Sequence, residues 1–211
     1  MNSIPDAWPP GPAPVMSVNS VPMFPLPGVF LFPGQLMPLH IFEPRYQQMI
    51  EDSLDTSGRL VIGTVLEAHH ADLANAPPVV PIAGLGEIGR HERLPDGRFL
   101  IWLCGIGRVQ IEEADSDRLY RRVRTTPLIE FGPSPSEDAE LRPLLLEAIE
   151  RRTGADLGEH DSAPLGALAD VLAQCTTAPE AVVLGLHGEV IVAERARKAL
   201  AAERRFPSTR R

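Results

Sequence analysis

The sequence predicts an α+β fold in which a β lobe precedes a small helical lobe. Three observations carry that reading. Short apolar runs punctuated by Pro and Gly recur from Val21 to Phe131, as strands joined by tight turns do. Past Gly132-Pro133-Ser134-Pro135 the apolar spacing lengthens from about two to about 3.6 residues, the change from strand to helix. The 211 residues are 44% apolar and 23% charged, ordinary globular values that supply a core without disulfide staples.

Residues 1–20 hold five prolines and few packable side chains, and read as a disordered or polyproline-like tail with an incidental Trp8. The β lobe is assigned to residues 21–131. Val21–Leu26 is its first strand, Pro27-Gly28 turns the chain, Val29–Phe32 follows, and Pro33-Gly34 turns it again before Gln35–Phe42. Prolines 22, 25, 33 and 38 cannot donate to a ladder, so these strands must be edges or bulged. Glu43-Pro44-Arg45-Tyr46 opens a helix, with Pro44 suited to its first position and Tyr46, Met49, Ile50 and Leu54 at helical spacing. Arg59–Leu66 is rich in β-branched residues and reads as a buried strand, and residues 67–79 read as a loop. Val80–Glu92 and Arg98–Glu112 flank the hairpin turn Leu94-Pro95-Asp96-Gly97. Residues Phe99 to Cys104 are apolar on both faces, which makes that strand central, and Gly105 and Gly107 permit a bulge. Leu119–Ile129 is the last strand.

The helical lobe is assigned to residues 136–205, and residues 206–211 form a second tail. Its helices are Ser136–Arg152, Pro164–Cys175, Pro179–Leu186 and Glu189–Arg205. Pro143 implies that the first turn of the first helix is separate or kinked. Each helix is apolar on one side only, so the helices pack on one another or on the sheet.

Charge excludes whole classes of function. Acids outnumber bases 28 to 20, a net charge of −8, so the chain as a whole is no polyanion binder. Lys198 is the sole lysine. A Walker A loop, a Ser-Lys dyad and a lysine Schiff base all require an ammonium, and no glycine loop precedes Lys198. No apolar run reaches the ~18 residues a membrane span needs, and no secretory signal opens the chain, so a cytoplasmic setting is expected. Cys104 and Cys175 stand far apart and read as buried apolar residues in a reducing compartment.

Several motifs look chemical. Gly84-Leu85-Gly86-Glu87-Ile88-Gly89 matches the dinucleotide pattern G-x-G-x-x-G, but Arg90-His91-Glu92-Arg93 and a hairpin turn follow it where a phosphate-binding helix N-terminus is required. A glycine-bulged strand accounts for it better. Tyr120, Arg122 and Arg124, with Arg118, form an aromatic and basic strand face of the sort that grips single-stranded RNA. Glu112, Glu113, Asp115 and Asp117 offset the local arginines, which favours a salt-bridged edge strand over nucleic acid. The histidines show no metal-ligand spacing, and no G-x-S-x-G is present. The sequence therefore nominates no catalytic residue, no cofactor and no metal site. Phe30 and Phe32, two apart on one face, form with Met37 a candidate peptide-binding patch beside proline-interrupted backbone; the competing reading places the rings inside a small barrel, which must be filled.

The segment from Pro22 to Tyr46 carries the most information. Phe24-Pro25-Leu26, Phe32-Pro33-Gly34, Pro38-Leu39 and Ile41-Phe42-Glu43-Pro44-Arg45-Tyr46 resemble the opening of the Lon protease N-terminal (substrate-binding) domain family, in the form of its small stand-alone bacterial members. The resemblance continues more thinly through Arg59–Leu66, Leu94–Ile111 and Leu119–Ile129. It implies a PUA-like β pseudo-barrel followed by a helical subdomain, and a non-enzymatic role in recognising polypeptide clients or a partner protein. An RNA-binding module, a use that PUA-like folds also serve, is the alternative. The ATPase and Ser-Lys peptidase of full-length family proteases are not expected in a sequence with one lysine and no Walker loop. The partner's identity and the oligomeric state are not legible.

Overall fold

A computed structural model describes residues 16–70, 76–154 and 162–207 of the chain, which divide into two units between Leu128 and Ile129. Trp8, most of the proline-rich segment and residues 208–211 lie outside the described residues.

The first unit contains β1 (Val18–Pro27), β2 (Leu36–Ile41), α1 (Pro44–Leu54), β3 (Arg59–Val65), β4 (Ile82–Arg93), β5 (Phe99–Ala114) and β6 (Arg121–Pro127). The strands run in the order β2-β5-β4-β3-β1-β6, and β6 pairs again with β5, so the sheet curls into a pseudo-barrel with β2 outside the ring. β1 and β3 are parallel and the remaining pairs antiparallel. The length of β5 explains its three neighbours. Phe99–Cys104 lies between β2 and β4, and Val109–Ala114 carries the pairing with β6. Both backbone edges of Phe99–Cys104 are thereby paired, its inner face is buried, and Leu100 and Trp102 on the other face are half-buried.

The proline constraint has a direct solution. Val18–Pro22 pairs only with β6 and Phe24–Pro27, with Pro25, only with β3, the two ladders overlapping at Met23 alone. Each proline thus stands where one side of the backbone has no ladder to join. Pro38 sits on β2, the end of the strand order, and Pro33 in a turn.

Alternate residues of β3 supply two cores, which is why that strand is apolar throughout. Val61 joins Val21, Met23, Leu85, Val109 and Val123. Leu60 and Ile62 join Tyr46, Met49 and Ile50 of α1. Pro44 occupies the first turn of α1, as its fixed φ suits.

Some expectations are corrected. β1 begins at Val18, inside the expected tail. Val29–Phe32 is an extended connection rather than a strand. It lies so close against the sheet that a Cβ on Gly84 would stand 2.2 Å from the Leu31 carbonyl oxygen, and one on Gly105 2.0 Å from that of Phe32. These glycines admit a crossing backbone, and β4 runs on to Arg93 with no helix after Gly89, so the dinucleotide pattern has no phosphate cradle. β6 starts at Arg121, leaving Tyr120 outside it, and it is no edge, since β1 and β5 flank it.

The second unit contains α2 (Pro135–Thr153), α3 (Leu165–Gln174), α4 (Glu180–His187) and α5 (Val192–Arg205). Ser134 and Glu137 close a capping box at the start of α2. The helix continues through Pro143 without a break: Pro143 and Ala139 are both exposed, so water can solvate the carbonyl that the proline leaves without an intrahelical donor. Fully buried Arg195 ties α5 to α3 and to the preceding segment, with Nε 3.0 Å from Asp170 and both terminal nitrogens donating to Glu130 at 2.9 and 3.0 Å. Cys175 is only partly buried, whereas Cys104 is buried; both are free thiols.

Candidate functional site

The expected aromatic patch is not at the surface. Phe30, Phe32 and Met37 are 7%, 1% and 9% exposed. The physical cause is the crossing at Gly84 and Gly105, which presses the Leu31–Phe32 backbone onto the sheet. The Arg108 guanidinium lies 5.5 Å from the centre of the Phe32 ring. Met37 faces the α1 side of the core with Ile41. The three residues act as filling, the role a small barrel requires.

Tyr120, Arg122 and Arg124 are also differently placed from a nucleic-acid platform. Tyr120 is buried, and its hydroxyl donates to Asp52 at 2.8 Å. Arg122 donates to the Ser20 hydroxyl at 2.6 Å, the Ser20 carbonyl at 3.0 Å and the Tyr120 oxygen at 3.1 Å. Arg124 pairs with Glu112 across the β5–β6 ladder at 2.8 Å. A stacking surface needs exposed rings and uncommitted cations. Here the ring is inside and the cations hold β6 to its neighbours.

Asp52, Arg118 and Arg122 line a cleft of about 560 Å³ between β1 and the end of α1. Burial and the adjacent Asp52 raise the Tyr120 phenol above its usual range, which keeps its proton available for the bond to Asp52. Burial likewise raises the thiols of Cys104 and Cys175 and makes both poor nucleophiles. Among the described residues, no group of three or more His, Cys, Asp or Glu could hold a metal ion, and no helix is long and apolar enough to cross a membrane.

What the first unit does present is β2. Met37 and Ile41 point inward, so Leu36, Pro38 and His40 point outward, and the alternation continues to Phe42. Leu36 is 39% and Phe42 61% exposed, and the Phe42 ring lies 6.0 Å from that of His40. Sequence reasoning passed over this row. Its signal was the register: once Met37 is assigned to the core, residues 36, 38 and 40 have to face the other way.

Comparison with known proteins agrees with this architecture. The family model for the ATP-dependent protease La (LON) substrate-binding domain matches residues 20–201. Lon protease 2 of Sorangium cellulosum is 28% identical over 166 residues, 77% of this chain and 18% of that protein. Lon protease of Desulforamulus reducens is 25% identical over 131 residues, 62% of this chain and 16% of that protein. The chain thus spans less than a fifth of the length of these relatives. Among solved structures, the N-terminal domain of Mycobacterium avium complex Lon protease superposes with a TM-score of 0.66 at 23% identity, covering 87% of this chain and 97% of that one. A Lon N-terminal domain protein from Xanthomonas campestris gives 0.63 at 22% identity, covering 87% and 98%.

Proposed function

The chain belongs to the Lon substrate-binding domain family, and from that premise we propose that it recognises polypeptides by binding them, in a cytoplasmic setting and with no reaction of its own. The observation that carries the proposal is the family match across residues 20–201, which takes in both units. The chemistry of the side chains supports it. Its only lysine, Lys198, is paired with Glu189. Both thiols are held in their protonated form, and the Tyr120 phenol is committed to Asp52. The face offered to a partner is the outer row of β2, which has no acidic, lysine or arginine side chain, and apolar surface is what an unfolded chain exposes and a native one hides.

The test is a binding titration with a permanently unfolded probe, a reduced and carboxymethylated model protein, against the same protein in its native state and a single-stranded RNA. Binding of the unfolded form with a dissociation constant below about 100 μM, and of neither other probe, is expected. Equal binding of native and unfolded forms, no binding of either, or a salt-dependent RNA complex weakened by Arg122→Ala would overturn it.

A further inference from the structure

Two of the strand edges that lack a neighbouring strand among the described residues differ in their cover. One is the outer side of β2, at the end of the strand order. The other is the last part of β4, where pairing with β3 ends at the Arg59–Glu87 pair while pairing with β5 continues to Arg93. The β4 edge carries Arg90, His91, Glu92 and Arg93, the charged cover by which folded proteins keep a free edge from joining another chain. The β2 edge has no acidic, lysine or arginine side chain; it shows Leu36, Pro38, His40 and Phe42.

The backbone phase of β2 is fixed. Gly105 N–H donates to the Gln35 carbonyl at 2.8 Å, and the register pairs Met37 with Leu103, Leu39 with Ile101 and Ile41 with Phe99. In an antiparallel ladder successive residues turn their N–H and C=O groups alternately toward and away from the partner strand. Met37, Leu39 and Ile41 therefore bond to β5, and Leu36, Pro38 and His40 turn theirs outward. Pro38 agrees with this phase, because its missing N–H falls on the side where β5 needs none. Outward-facing amides at Leu36 and His40, carbonyls at Leu36, Pro38 and His40, and apolar side chains on alternate positions are complementary to one kind of occupant, an extended backbone without charge.

We infer that β2 is a docking strand: an extended, uncharged apolar segment of an unfolded polypeptide adds to its outer edge as a further strand and packs its side chains against Leu36 and Phe42. The inference rests on the polypeptide-recognition reading and gives it a geometry. Main-chain bonds at Leu36 and His40 are indifferent to sequence, and the apolar row selects against charged segments. Pro38 leaves one carbonyl of the incoming strand to water, which limits affinity and keeps the edge from pairing indiscriminately.

Residue-resolved amide hydrogen exchange on the whole chain, with and without the reduced and carboxymethylated probe, tests it. The Leu36 and His40 amides exchange freely in the free chain and slow by about tenfold or more in the complex, while those of Met37 and Leu39 change little. His40→Pro removes the second outward donor without touching a bond to β5, and weakens probe binding by about fivefold to tenfold at an unchanged melting temperature. Should that variant unfold, exchange on the unaltered chain decides alone. A complex that protects neither amide, or undiminished binding by folded His40→Pro, overturns strand addition and leaves polypeptide recognition standing; no complex at all removes both. Amides already protected in the free chain would overturn it too, marking occupation by residues 1–15 if independent of concentration and by a second copy if not.

Discussion

Gly84→Ala and Gly105→Ala test whether the extended connection is clamped on the sheet as the structure has it. An added Cβ would stand 2.2 Å from the Leu31 oxygen and 2.6 Å from the Leu31 Cβ in the first case, and 2.0 Å from the Phe32 oxygen in the second. Those oxygens fall short of ordinary carbon–oxygen contact by about 1 Å. The obstacle in each is backbone, and that backbone is held from both ends. Thr64 donates to the Val29 carbonyl at 2.6 Å, Phe32 N–H donates to the Gln35 side chain at 3.0 Å, and Gly34 and Gln35 are bonded to Gly105. Overpacking of a fixed core costs about 1–3 kcal/mol, and with no flexible side chain to yield the upper end applies. About 3 kcal/mol corresponds to a fall in Tm of about 10–20 °C for a unit of this size. Urea unfolding followed by circular dichroism reads the loss directly, as a lower midpoint at unchanged slope. Gly97→Ala is the comparison: its φ is +87° but nothing lies within 4 Å, so only the backbone penalty of about 1 kcal/mol applies. If Gly84→Ala and Gly105→Ala stay within about 0.5 kcal/mol of the unaltered chain, the close crossing is wrong and the glycines need another explanation.

Two further predictions concern the helical unit. Arg195→Ala takes the guanidinium away from the buried Asp170 carboxylate and should destabilise the unit by about 3–5 kcal/mol, whereas Arg195→Met with Asp170→Leu should recover most of the loss; equal melting of single and double variants would refute this. The Glu137 carboxyl is held at about 2, below its usual 4.5, by bonds from the Ser134 backbone and side chain and by Arg197. Its stabilising contribution is therefore complete above about pH 4.5 and lost as pH falls toward 2. Glu137→Gln keeps the capping geometry without the charge, so the stability gap between it and the unaltered chain should close over that interval, and a gap constant with pH would count against the pairing.

Local chemistry made most of the elements legible. Pro44 after Glu43, the β-branched run of β3, the Pro95-Asp96-Gly97 turn and the change of period after Gly132 each follow from forces that act within a few residues. The misreadings share one cause. Val29–Phe32 has strand composition, and what makes it a connection is the pair of glycines opposite, Gly84 and Gly105, which lie far along the chain. The same contact turns Phe30 and Phe32 inward. For the arginines of β6 the salt-bridged reading needed only nearby acids, as in the pairing of Arg124 with Glu112, whereas Ser20, the partner of Arg122, is brought in from far along the chain by the β1–β6 pairing.

Proline is where sequence and site meet most closely. A strand proline declares a side of the backbone that no neighbour uses, without saying which strand it is or what lies beyond. In β1 the unused sides are made harmless by splitting the strand between two partners. In β2 no second partner exists among the described residues, and Pro38 stays on the rim with Leu36 and Phe42 exposed on the same row. A protein that only needed to blunt this edge could have placed charges there, as β4 does with Arg90, Glu92 and Arg93. One proline in an edge without acidic, lysine or arginine side chains interrupts a continuous ladder and still leaves donors at Leu36 and His40. That compromise is what the strand addition proposed above requires, since in it many unfolded segments are accepted briefly and none is held permanently.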